Sequence, residues 1–347
     1  MNASDINKMG SLLRIDIISV AVACVAFAAA SVGPAEARDQ LWIAASPSDQ
    51  SFAKAVSVQF GRAGRFKTPI VKDGGPPAGL MSFCRGVGPD NFDIAFSSRR
   101  IASSEVELCN KNGVKDITQV QFGYDALVFV TNKASQTPAL SRTAVYLAIA
   151  RDVPDKGTLA SNTSKPANTL YIPSANHGAR DVFDEMLMVS SCTSTGAYAI
   201  IQKTNPDKSK VAAQCRAARQ AANVVNMDSD SGTLARLQSD PKGVGVVTWS
   251  FYTNNDDKLK VVALDGVVPS KATVASGTFP IAYPLYLYVK KAQIGQIPGI
   301  KEWIAEFTSE NAFGPDGYLG DSGLVSMPDA QRRQSRADAQ ALVSYKP

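Results

Sequence analysis

The chain has 347 residues, of which 45% are hydrophobic and 19% charged, and its 36 Lys and Arg exceed its 31 Asp and Glu by a formal +5. This is enough apolar content for two sizeable cores, and it excludes a chain that is disordered in bulk. The basic excess is thin and scattered, so it argues against a nucleic-acid partner and favours, if anything, a small anion.

The first 37 residues have the layout of an export signal. Lys8 and Arg14 precede the apolar stretch IISVAVACVAFAAASV at 17–32, and PAEA follows, with Ala35 and Ala37 at the small-residue positions of a cleavage site. A retained anchor is the rival reading, but the stretch is short for a full span and no second one follows. Cleavage after Ala37 removes two basic and three acidic residues, which takes the formal charge from +5 to +6. Cys24 leaves with the leader. The remaining Cys84, Cys109, Cys192 and Cys215 form an even set in an exported chain and predict two disulfides. Three pairings are open. The local one, Cys84–Cys109 with Cys192–Cys215, closes two loops of similar size. The cysteines lack CxxC spacing and the chain has one histidine, which argues against a metal site.

In chain order, DQLWIAAS predicts a strand and SFAKAVSVQFGRAG a helix, with Phe52, Val56 and Phe60 four residues apart. TPIVKDGGPPAG is a strand entering a loop, LMSFCRGVG a short helix, FDIAFSS a buried strand and SSEVELCNKNG a helix stopped by Gly113. DALVFVTN at 125–132 is a further strand. SRTAVYLAIARD (helix), NTLYIP (strand), GARDVFDEMLMVSSC and SKVAAQCRAARQAA (helices), NVVNM (strand), GTLARLQSD (helix) and GVGVVTWSFY (buried strand) continue the alternation. KLKVVALDG and YPLYLYVK are strands, and IPGIKEWIAEFTSE and DAQRRQSRADAQALVSY are helices. Strands alternating with helices indicate an α/β fold.

Four junctions carry candidate chemistry. SANHGARDVF, at 174–183, sets His177, Gly178 and Arg180 before a helix. Gly178 lets backbone amides approach a ligand, a helix start is a ready anion site, and Arg180 adds a charged fork. An ordinary helix cap with a surface arginine explains the same residues. AASPSDQSFAKAV supplies Ser46 and Ser48 with Asp49 as a capping residue. KDGGPPAGLMSFC is glycine-rich, yet it matches no nucleotide-loop pattern, and Pro76 and Pro77 lack amide hydrogens. FDIAFSSRR puts Asp93 at a strand and Ser97, Ser98, Arg99 and Arg100 beyond it. A carboxylate there suits an anion that carries a proton, and a salt bridge with Arg99 is the plain alternative. No Ser/His/Asp or Cys/His set stands at catalytic spacing, so the chain reads as a binding protein and not an enzyme, with no cofactor implied.

With these motifs in view, the chain resembles the phosphate-binding proteins of bacterial phosphate ABC transporters over most of residues 40–328. The family carries IxGSSTVxPF from strand into helix where this chain reads Ile43–Phe52, IAASPSDQSF, so that Ser48 falls on the family threonine. FCRGVGPDNFDIAFSSRRIASSEVELCNKNG, GVVTWSFYTNNDDKLKVVALDGVVPS, SGTFPIAYPLYLYVKKA and IPGIKEWIAEFTSENAFGPDGYLGDSGLVSMP match closely. The resemblance implies a two-lobed periplasmic binding protein fold of type II, with a hinge and a cleft. It implies lobe 1 over 38–130, lobe 2 over 131–255, and a return to lobe 1 with C-terminal helices over 256–347. It implies a monomer in the periplasm that holds inorganic phosphate or a similar small anion and hands it to an inner-membrane permease. Ser48, Asp93, Ser98, His177, Gly178 and Arg180 are the expected ligand set, with Asp93 accepting a ligand proton. The chain departs from the family at these same loops. HGARD at 177–181 stands where SGTRD is common, which removes two hydroxyls. Pro76, Pro77, Ala78 and Gly79 replace a glycine run, and Tyr283 stands where an arginine is expected. These departures leave open an organic phosphate, phosphonate or organic acid as ligand, or a surface or structural protein without one.

Overall fold

The computed structural model describes residues 38–46, 49–74, 78–151, 153 and 169–346. The leader at 1–37, Ser48, Pro76 and Pro77 lie outside the described residues. Residues Asp39–Pro347 form one unit.

Nine strands are described: β1 Trp42–Ala45, β2 Ile70–Asp73, β3 Ile94–Ser97, β4 Ile117–Asn132, β5 Leu170–Pro173, β6 Val224–Met227, β7 Val244–Thr248, β8 Leu259–Val262 and β9 Ala282–Lys290. They join in the order β2-β1-β3-β9-β4-β7-β5-β6, with β8 also on β4. The long β4 divides this array. Its first part, to Ala126, pairs with β9, and from Leu127 it pairs with β7 and then β8. Two half-sheets result, one on each side of the Ala126–Leu127 step. This is the α/β, two-lobed type II binding-protein architecture.

Strand alternation builds the first lobe's two packing layers. Ile43 and Ala45 of β1, with Ile94 and Phe96 of β3, face the main core, whereas Ala44 and Ala95 face a smaller one. The main core here is an aromatic cluster. Phe122 stands edge-on to Phe52, Phe96 and Phe307 at centroid distances of 5.9, 5.3 and 5.1 Å. Helix Gln50–Arg62 contributes Phe52, Val56 and Phe60 to it, and helix Ile300–Phe307 contributes Trp303 and Phe307. The smaller core lies under helices Ala78–Phe83 and Ser103–Lys111. Cys84 bonds Cys109 within it, and Cys192 bonds Cys215 in the second lobe, so the structure selects the local pairing. Each closed loop of this size stabilises the fold by about 3 kcal/mol, mainly by restricting the unfolded chain.

Three segments differ from expectation. The strand expected at 125–132 begins at Ile117, because ITQVQFGY pairs along β9. The strand expected through Tyr252 stops at Thr248, whose hydroxyl accepts from Phe251 N and caps the helical turn Trp249–Thr253. The return to the first lobe falls near Ala282 and not at 256, because β8 pairs with the second part of β4 and only β9 goes back to β3.

Candidate functional site

The polarity of the strands places the site. In the first half-sheet β2 and β3 run parallel to β1, and in the second β6 and β7 run parallel to β5. In such sheets ligands lie beyond the carboxyl ends of the strands. Here those ends lead to Ser46–Asp49, to Gly74 and helix Ala78–Phe83, to Ser98–Arg99, to Ser174–Gly178, to Asp228–Asp230 and to Ser250. Gly74 is needed where it stands: a Cβ there would fall 2.6 Å from Gly79 Cα.

A polar cavity of about 40 Å³ lies among these ends, lined by Ser46, Asp49, Gly79, Ser97, Ser98, Arg99, Gly178 and Asp181 among others. A space of about 10–15 Å³ by the same measure holds one water, so this one holds a group of only a few heavy atoms. The starts of three helical segments, Gln50–Arg62, Ala78–Phe83 and Arg180–Phe183, border it. The third continues as one helix to Ser194 through a π-helical stretch at Asp184–Val189. Ser97 Oγ turns back to Arg99 O at 2.8 Å, whereas the Ser98 hydroxyl and the Gly178 amide have no partner among the described residues.

Arg99 is the cavity's arginine. Its Nη1 and Nη2 each donate to Glu105 at 2.8 Å, and its Nε lies 3.6 Å from Asp181 Oδ2 across the cleft. Asp49 is the cavity's buried carboxyl. It makes no cap bond to its helix and instead accepts from Ser46 Oγ at 2.7 Å. Burial pushes its pKa up to about 6, against the lowering effect of the Ser46 bond.

The structure corrects three expected ligand contacts. Asp93 is fully buried at the amino end of β3, where its carboxylate accepts from Trp42 N at 2.7 Å. Five residue steps of extended chain, roughly 16 Å, separate it from Ser98. Arg180 turns away from the cavity: Nη1 donates to Pro173 O at 2.8 Å and Nε to Asp184 at 2.9 Å. His177 is committed at both ring nitrogens. Nδ1 accepts from Ala179 N at 3.0 Å, so the neutral ring carries its proton on Nε2, which faces Asp230 Oδ1 at 3.0 Å. His177 thus shapes the loop that presents Gly178. Ser98 and Gly178 line the cavity, and Ser48 is outside the described residues.

A chain of buried hydrogen bonds ties this loop to the floor of the cleft. Thr248 Oγ1 donates to Asp230 at 2.8 Å and Ser250 Oγ to Asp125 at 2.8 Å, and Tyr283 stands opposite Asp125 on the β4–β9 ladder. Burial drives Asp125 up to about 7, partly offset by the bonds from Ser250 and Ala126 and reinforced by the nearby Asp230. Tyr283 is pushed well above its usual range, first by burial and then by Asp125, Asp49 and Asp230. Sequence reading singled out Tyr283 only as a replaced arginine and did not reach Asp125, whose strand context gives no signal of its role.

A family model described as a PBP superfamily domain matches residues 30–311. The chain belongs to the PBP superfamily. Among curated proteins, the chain is 26% identical over 287 residues to Protein SphX of Synechococcus elongatus, covering 80% of this chain and 74% of that protein. It is 22% identical over 277 residues to the phosphate-binding protein PstS of Staphylococcus saprophyticus, covering 76% and 73%. Among solved structures, a phosphate-binding protein from Stenotrophomonas maltophilia superposes with a TM-score of 0.59 at 12% identity, covering 86% of this chain and 94% of that one. An ABC-type phosphate transport receptor from Vibrio cholerae gives 0.56 at 17% identity, covering 83% and 100%. At these identities the superpositions show the superfamily's fold. Membership makes the chain a solute-binding protein, and the polar cavity is of a size for a small anion.

Proposed function

We propose that the protein is a periplasmic binding protein that captures phosphate, or the oxyanion group of a phosphate-like solute, and delivers it to an ABC transporter permease. The observation that carries this is the small cavity on which Ser98, the Gly178 amide and the Arg99 side chain converge from two half-sheets. A hydroxyl, a backbone amide just before a helix start and a guanidinium all suit negatively charged oxygens. Asp49 makes the site selective, because a buried carboxyl of raised pKa tolerates an anion only where a proton lies between them. The relatives named for phosphate support the ligand, and the apolar leader with its PAEA site supports export.

The test is calorimetric titration of the exported protein, freed of ligand by unfolding and refolding. Micromolar or tighter binding of phosphate at one site, weakened at least tenfold in Ser98→Ala, is the expected result; a lost hydrogen bond to a charged oxygen is worth about 1.5–3 kcal/mol. Silence to millimolar phosphate, arsenate and phosphate monoesters alike overturns the reading.

A further inference from the structure

The small cavity has a neighbour that a bare oxyanion does not use. A chamber of about 290 Å³ shares Ser98, Arg99 and Asp181 with it and continues between the lobes. Its walls are mostly apolar. Val182 and Met186 come from the helical segment that begins at Arg180, and Tyr283, Pro284 and Tyr286 come from β9. Arg100 stands at its rim, with Nε 3.1 Å from Tyr286 Oη and its guanidinium 5.8 Å from the ring centroid. The Arg99–Asp181 contact marks the junction of the two spaces.

We propose that the ligand is a phosphate monoester or phosphonate with a compact aromatic substituent. The oxyanion occupies the small cavity and the substituent fills the chamber. This inference rests on the oxyanion reading above. Three features select the substituent. The chamber is about seven times the cavity's volume, since 290 Å³ compares with 40 Å³. The Met186 thioether and the tyrosine rings favour a flat, polarisable partner, and a guanidinium at the rim adds attraction to an aromatic face. Filled with water instead, the chamber would screen the charged contacts beside it. Tyr283 presents its ring to the chamber.

The test compares phosphate, phenyl phosphate and phenylphosphonate by titration calorimetry on the exported, ligand-free protein. The expected result is that phenyl phosphate binds at least tenfold tighter than phosphate, because ring burial adds apolar contact that phosphate lacks. Met186→Trp fills the chamber and brings that ratio toward one. Met186→Ala, a second variant should the first not fold, enlarges the chamber and lets 1-naphthyl phosphate gain on phenyl phosphate. Phosphate binding as tightly as its phenyl ester in the wild type overturns the inference and leaves the oxyanion reading standing. So does a ratio that neither Met186 variant changes. Failure of all three probes to bind overturns both.

Discussion

Arg99 Nε and Asp181 Oδ2 stand 3.6 Å apart, one following β3 and the other in the first turn of the helix across the cleft. Their contact joins the two halves of the molecule beside the cavity. Arg99 is also clamped on Glu105, so the guanidinium is fixed before any ligand arrives. Arg180, only one residue from Asp181, bonds within the second lobe, to Asp184 and Pro173 O.

The two arginines therefore separate binding from stability. Arg180→Ala leaves Asp184 and Pro173 O without their donor and costs about 1–3 kcal/mol of folding free energy. It changes the affinity for phosphate less than threefold. Arg99→Ala weakens phosphate binding more than tenfold, and Arg99→Lys recovers part of the loss because charge returns without the planar fork. Chemical denaturation and calorimetry on the three variants separate the effects.

Asp49 sets the pH response of binding. Its pKa of about 6 in the empty site rises further when an anion enters, so binding takes up a proton near neutrality. Affinity then falls as pH rises from 6 to 8. Asp49→Asn flattens the profile, and buffers of different ionisation enthalpy report the lost proton uptake.

Asp125 sets a pH response of stability. Its pKa is about 7 in the fold against an ordinary 3.8, so the folded chain holds a proton that the unfolded chain has released. Stability from this group is therefore present at low pH, declines as pH rises from about 4 to about 7 and is level above. Asp125→Asn gains on the wild type between pH 5 and pH 8 by on the order of 3 kcal/mol, measured by urea unfolding at each pH. A difference that stays constant with pH refutes the assignment.

The two disulfides act independently. Cys84–Cys109 sits in the smaller core and Cys192–Cys215 in the larger. Replacing either pair by alanine lowers stability by about 2–4 kcal/mol. Replacing both gives the sum to within about 0.5 kcal/mol, as separate sites do.

The sequence made the architecture readable because β1 and β3 alternate between two cores and the helix at 50–62 repeats its apolar residues every fourth position. It made the cavity only half readable. Ser98 and Gly178 follow from strand-end and helix-start rules. Asp93 does not belong with them, and strand direction already says so: it precedes β3 whereas Ser98 follows it, and the cleft lies at the carboxyl ends. Arg180 and His177 misled for another reason. Which way a side chain turns from a helix start depends on acceptors such as Pro173 O and Asp230, which only the folded chain brings near. Asp125 stands in the middle of an apolar strand, and its role depends on Ser250, which lies 125 positions away in the chain.

The course of β4 has a mechanical consequence. One unbroken strand of 16 residues supplies rungs to both half-sheets and exchanges its partner between Ala126 and Leu127. The halves cannot slide past each other without breaking a ladder on one side. A change in their relative angle has to be absorbed as torsion in the few peptide units around that exchange. β9 begins beside it, with Ala282 opposite Ala126. The molecule is thus built like a book whose spine is a doubled ribbon, and the residues that seal the cleft's floor, Asp125 and Tyr283, are sewn into that spine.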